Sequence, residues 1–328
     1  MINWCKTQAM KIINRRNFIL KSVKISGVGM ATIPHFSFSK MVGESENRDE
    51  PSSQSMRFIA AYDTESKSCI ENLETIVNMH QKHEIPATFF IVSSILNKGN
   101  IGMVKELLDD PLFEIASHSY SHTVVLDHPI CGKVKDARKE IIDSKIILED
   151  IFSKNILGFR TPCGYPEGLR GEKELLELVD EAGYKYISTM LWGPGFSLPA
   201  DIVEAFTYEK EGFKEIWEIP GHGWHENVLK GHTKVTVPLV VWPTKWPEIA
   251  IPNRYIETPM EEFQINKYFI DTANKKNKEH ITFIWHPWSL GRFDNKMEML
   301  DLVFSYINKI KCKADTFERF YKTKMKED

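Results

Sequence analysis

With 328 residues, 42% hydrophobic and 27% charged, the chain has the makeup of globular material in one large domain or two small ones. The formal net charge of −3 is unevenly distributed. Residues 1–40 hold seven basic residues and no acid, so the remainder carries 35 basic against 45 acidic groups, a net of −10. So acidic a body excludes nucleic acid as an expected partner, because phosphates need a basic face, and leaves a neutral polysaccharide open.

In chain order, the stretch Asn14-Arg15-Arg16-Asn17-Phe18-Ile19-Leu20-Lys21 resembles a twin-arginine export signal. The modestly apolar residues 25–33 behind it are too few to span a bilayer. This pattern predicts a signal segment over 1–40, the twin-arginine translocase as a partner during export, and a periplasmic or cell-envelope location. The competing reading is a basic amphipathic or disordered N-terminus on a cytoplasmic protein. Polar residues 41–56 read as a linker, and 57–328 as the working domain. Five cysteines (Cys5, Cys69, Cys131, Cys163 and Cys312) show no paired spacing, so the sequence selects no disulfide partner.

Past the linker, short apolar runs predict strands at 57–62, 87–92, 113–117, 157–160, 184–188, 216–219 and 281–286. Amphipathic stretches predict helices at 70–83, 102–109, 134–153, 172–182, 261–277 and 295–311. Strands alternating with helices imply an α/β fold with parallel strands and helices outside. An irregular (β/α) barrel of about seven strands is preferred over an open doubly wound sheet. No glycine-rich phosphate loop follows the first strand, and candidate polar residues stand at the C-terminal ends of several strands. Within 134–153, Val134, Ala137, Ile141, Ile142, Ile146, Leu148 and Ile151 favour one helical face. Residues 191–255 break the rhythm, and seven of the eight tryptophans fall between Trp192 and Trp288. Some of these pack in a core, and others can wall a groove, since indole faces suit the C–H faces of sugars.

Four strand ends carry chemistry. Asp63-Thr64-Glu65 ends the first strand and offers a general base or a metal ligand, or simply caps the next helix. His118-Ser119-Tyr120-Ser121-His122 follows the third strand. Two imidazoles four residues apart, placed on one helical turn, would chelate a metal. In Gly158-Phe159-Arg160-Thr161-Pro162-Cys163-Gly164, Arg160 is placed to orient a carboxylate. His286 ends the last strand as a general acid or a core histidine. His222 with His225 are rival metal ligands within reach of substrate. His80 with His83 also have the spacing, but read as a solvated helix face.

The order Asp, His-Ser-x-x-His, Arg-x-Pro-x-Gly and strand-end His, with Ala87-Thr88-Phe89-Phe90, resembles the polysaccharide deacetylase family (the NodB homology domain) over about residues 57–290. The resemblance implies hydrolytic deacetylation of an N- or O-acetylated envelope polysaccharide or peptidoglycan, and a divalent metal, zinc or a related ion in most members. It assigns Asp63 as base, Arg160 as its orienting residue, His286 as acid, and His118 and His122 as metal ligands. The usual Asp-Asp-Gly is here Asp-x-Glu, as in one branch of the family, so Glu65 takes the third ligand position. The fourth motif is altered, with Ile187 near the place of the usual Asp and Trp192 or Trp217 as candidate aromatic walls. Trp192, Trp224, Trp288 and Pro162 are the expected substrate contacts. Two alternatives carry other functions: a same-fold hydrolase of a non-sugar C–N bond in a small amide or ureide, and an inactive sugar-binding module.

Overall fold

The computed structural model describes residues 56–129, 131–196, 199–223 and 256–327. The predicted signal segment, nearly all of the linker, and Trp224 with His225 lie outside the described residues.

The first half alternates regularly: β1 (Arg57–Thr64), α1 (Lys67–Glu71), α2 (Leu73–His83), β2 (Ala87–Ile91), α3 (Ile101–Leu108) and β3 (Phe113–Ser117). A π-helical turn over Lys139–Asp143 runs into α4 (Ser144–Phe152), followed by β4 (Gly158–Phe159), α5 (Lys173–Ala182) and β5 (Tyr186–Ile187). Then come β6 (Phe206–Tyr208), β7 (Phe213–Glu218), α6 (Pro259–Lys275), β8 (His280–Trp285), α7 (Pro287–Phe293), α8 (Glu298–Lys309), β9 (Lys313–Asp315) and α9 (Phe317–Glu327). All seven expected strands are present. The short β6, β9, α7 and α9 had no sequence signal strong enough to announce them.

The sheet order is β6-β7-β5-β4-β3-β2-β1-β8, with β9 pairing β1. Seven strands, β7 through β8 in that order, run parallel, while β6 is antiparallel to β7 at the edge. The result is a mixed α/β fold of the expected barrel type whose sheet does not close. At the gap, the Gly221 N–H donates to the Met190 carbonyl at 2.9 Å and the His222 N–H to the Thr282 carbonyl at 3.0 Å. The first ties the chain after β7 to the end of β5, and the second draws it to β8 without forming a ladder. β2 is buried along its whole length, as a strand covered on both faces must be, and reads Ala-Thr-Phe-Phe-Ile with no alternation. Gly158 in β4 is needed for close approach, because a Cβ there would lie 2.0 Å from the Tyr186 hydroxyl. The entry to α6 carries a Thr258–Glu261 capping box with Pro259 in the first turn, which ends the preceding segment and starts the helix.

Three expectations are corrected. The helix before β4 does not carry the whole expected face: Val134 precedes it in irregular backbone and is 40% exposed, and Ile146 within it is 60% exposed. Ile146 stands five positions after the buried Ile141, about 140° round a helix of 3.6 residues per turn, and so falls off the buried face. His80 does not lie on a solvated face. It is fully buried, with Nε2 2.7 Å from the Tyr62 hydroxyl and Nδ1 2.7 Å from the Ile85 carbonyl. Burial pushes its imidazole down to about 3, so it is a neutral core residue. The His118–His122 segment is not a helical turn. Ser119 and His122 adopt left-handed backbone angles, φ 70° and 59°, in an irregular loop.

Candidate active site

The C-terminal ends of β1, β3, β4 and β8 deliver Asp63, Glu65, His118, Arg160 and His286 to one place. Asp63 is buried, and the Arg160 Nε–H donates to its Oδ2 at 3.2 Å, with Oδ1 3.0 Å from the same nitrogen. Arg160 is itself buried, rests over the Phe90 ring at 5.5 Å, and donates from Nη1 to the Ser188 hydroxyl at 2.7 Å. The Nε2 atoms of His118 and His286 stand 3.7 and 3.8 Å from Asp63 Oδ2. Burial alone would raise the Asp63 carboxyl, but the Arg160 charge and the two imidazoles outweigh it and hold the group below the usual range. Asp63 is therefore ionised at neutral pH.

Beside this acid lies a second group. Glu65, His118 and His122 each offer one ligand atom, all within 4.8 Å of one another. His122 Nε2 is 2.7 Å from Glu65 Oε2, and His286 Nε2 is 3.9 Å from the same oxygen. Burial would raise Glu65, yet the imidazoles of His122 and His286 bring it well below the ordinary carboxylate range. Burial would lower His122, but the charge and hydrogen bond of Glu65 raise it. For His118, burial dominates over the pull of Asp63 and pushes the imidazole down to about 4, leaving it neutral at pH 7.

These residues fit a divalent ion. His118 sets Nδ1 3.1 Å from the Arg160 carbonyl, while its buried Nε2 has no hydrogen-bond partner among the described residues. A protonated Nδ1 donating to that carbonyl leaves the Nε2 lone pair facing Glu65 and His122, the arrangement typical of a metal-ligating histidine. Two imidazoles and a carboxylate make one of the common catalytic zinc donor sets, with a position left for substrate or water.

The loop carrying the histidines is held by residues that sequence reasoning passed over. Glu140, buried in the π turn, accepts from the Ser121 N–H at 2.7 Å and the Ser121 hydroxyl at 2.6 Å, and its carbonyl accepts from Tyr120 N–H. The Ser119 hydroxyl accepts from the His122 N–H at 3.0 Å. These bonds support the two left-handed residues and so the convergence of the imidazoles. No sequence signal pointed to Glu140. Ser188 had one, being the residue after Ile187. Ile187 itself is fully buried in the core, and its neighbour reaches Arg160 instead. Glu218 then ties down the end of β5, accepting from the backbone N–H of Thr189 at 2.7 Å and of Met190 at 2.8 Å.

The expected substrate contacts divide. Pro162 is buried in the turn after Arg160. Trp192 is buried, packs against Phe196 and His128, and donates its indole N–H to the Cys163 carbonyl. Trp217 is buried too. Trp288 is half-buried and donates to Glu65 Oε1 at 2.8 Å. His222 is not at the metal-ligand group. Its Nδ1 accepts from the Thr282 N–H at 3.0 Å and its Nε2 lies 2.9 Å from the Val203 carbonyl, which accounts for both ring nitrogens. Cys131 and Cys163 form a disulfide across 32 residues, joining the loop after the histidines to the Arg160 turn.

Fold and side chains together define an unclosed, mostly parallel α/β barrel with a carboxylate–arginine–imidazole centre at the C-terminal ends of its strands, an arrangement suited to hydrolysis. Residues 61–187 match the family model described as Polysaccharide deacetylase. Two solved structures assigned by name to the polysaccharide deacetylases share the fold. One, from Mycobacterium smegmatis, has 13% identity over 84% of this chain and 92% of its own, with a TM-score of 0.58. The other, from Pseudomonas aeruginosa PAO1, has 14% identity over 81% and 89%, with a TM-score of 0.55. Puue allantoinase shares it at 13% identity over 80% and 88%, with a TM-score of 0.53. No curated protein matches the chain. The resemblance to the polysaccharide deacetylase family holds both in the sequence of residues 61–187 and in the fold.

Proposed function

We propose that the protein hydrolyses the acetyl group of an N- or O-acetylated envelope polysaccharide or peptidoglycan, with a divalent ion, zinc by preference, held by Glu65, His118 and His122. The observation that carries this reading is the position of Asp63. It is an ionised, buried carboxylate held by Arg160, with His118 on one side and His286 on another.

An ion held by Glu65, His118 and His122 would supply Lewis-acid polarisation of the acyl oxygen and would lower the pKa of a water. Asp63 takes the proton from the attacking water, and its low pKa keeps it ionised and ready to do so. Arg160, fixed by Ser188, holds the carboxylate in one orientation and prevents its protonation in the buried setting. His286, within 4 Å of both Asp63 and Glu65, donates a proton to the departing amine or alcohol. Export to the periplasm or cell envelope, by the twin-arginine translocase, is part of the proposal. The Arg15-Arg16 segment and the Cys131–Cys163 disulfide support it, since disulfides persist in oxidising compartments.

The test is acetate release from N- and O-acetylated oligosaccharides, with zinc present, by the wild type and His118→Ala. The wild type is expected to release acetate and the variant to lose at least about 100-fold in rate. Equal rates would remove the site, and hydrolysis of small amides or ureides without acetate release would move the substrate class.

A further inference from the structure

A half-buried tryptophan beside a candidate sugar site invites a stacking role, yet the surroundings of Trp288 point elsewhere. β1 and β8 pair in parallel with Tyr62 opposite Trp285, so the two chains leave the sheet side by side. The next residues meet in step: Asp63 faces His286, and two positions on, Glu65 meets Trp288. The Trp288 indole N–H donates to Glu65 Oε1 at 2.8 Å, while Oε2 of the same carboxylate faces His122 at 2.7 Å. The ring is not an open platform, because the Arg292 guanidinium lies over it at 5.5 Å and the His286 ring meets it edge-on at 6.2 Å. Its backbone is firmly seated as well. Gly291 in α7 lies so close to Asn72, the residue between α1 and α2, that a Cβ there would be 1.9 Å from the Asn72 side-chain oxygen.

We propose that Trp288 is a positioning residue for Glu65, fixing which carboxylate oxygen is offered to the divalent ion. This rests on the metal reading above and deepens it. An indole N–H suits the task, since it donates, has no acceptor to compete for a cation, and does not titrate. It occupies Oε1 and leaves Oε2 for the ion. Glu65 has one more methylene than aspartate and correspondingly more rotamers to be restrained, which gives the donor its purpose. Partners of this kind typically alter metal affinity about 10–100-fold.

The experiment measures Zn²⁺ affinity by chelator competition for the wild type, Trp288→Phe, Glu65→Gln and the double variant, with KM for an acetylated oligosaccharide measured at saturating zinc. Trp288→Phe keeps the ring and removes the donor. It is expected to weaken zinc binding about 10–100-fold while leaving KM and the melting temperature nearly unchanged. In the Glu65→Gln background the same change is expected to have no further effect on zinc, the signature of two residues acting as a unit. Unchanged zinc affinity in Trp288→Phe, from a wild type that binds zinc, overturns the inference and leaves the proposed function standing. So does a raised KM on Trp288→Ala with zinc affinity intact. A wild type that binds no zinc overturns the metal reading and this inference together.

Discussion

Glu114, in β3, gives the fold a pH dependence of predictable sign. The side chain is buried, with Oε2 accepting from the Thr88 hydroxyl at 2.7 Å and the Glu318 N–H at 2.9 Å, and Oε1 accepting from the Tyr186 hydroxyl. It thereby docks the first turn of α9 against the sheet. A free glutamate titrates near 4.5, and burial lifts Glu114 to about 7 although all three donors pull it down. The folded state thus holds a proton that the unfolded chain releases between these values. Stability from this group is complete below pH 4.5, falls as pH rises towards 7, and stays lost above it. The gap between the two values corresponds to roughly 3 kcal/mol at most. Glu114→Gln keeps the shape and carries no charge to desolvate. Its amide oxygen can serve Thr88 and Glu318, and its amide N–H can donate to the Tyr186 oxygen. We expect the variant to match the wild type near pH 4.5 and to exceed it by up to about 3 kcal/mol at pH 8. Urea unfolding followed by tryptophan fluorescence across pH 5–8.5 measures the difference, in which contributions from other groups cancel. Two curves parallel over that range would refute the argument that a desolvated carboxylate opposes folding here.

Two other expectations concern the site and its frame. Arg160→Lys preserves the charge but not the fork that joins Asp63 to Ser188, and kcat is expected to fall on the order of 100-fold with KM little changed; a variant with wild-type kcat would show that charge alone suffices. Replacing Cys131 and Cys163 by serine opens a loop closed across 32 residues, expected to cost roughly 3–4 kcal/mol of stability on chain-entropy grounds; an unchanged denaturation midpoint in the double variant, and in the wild type with added reductant, would contradict this.

The α/β alternation and the strands bearing the candidate site were legible in the order of residues alone. Those strands are near-continuous apolar runs such as Phe58-Ile59-Ala60-Ala61-Tyr62 in β1, and burial on both faces leaves such runs few other places to go. The same order placed Asp63, Glu65, His118, His122, Arg160 and His286 at strand ends, and parallel strands collect such residues at one end of the sheet. Contacts between residues distant in the chain emerged only with the folded molecule. Glu140 holding Ser121, Ser188 reaching Arg160, Trp288 donating to Glu65 and Cys131 meeting Cys163 have no local periodicity to announce them. The same limit explains the corrected readings. His80 sits among polar neighbours in sequence, yet its environment is set by Tyr62 and Ile85, and the left-handed loop through Ser119 and His122 is held by Glu140 from a later element.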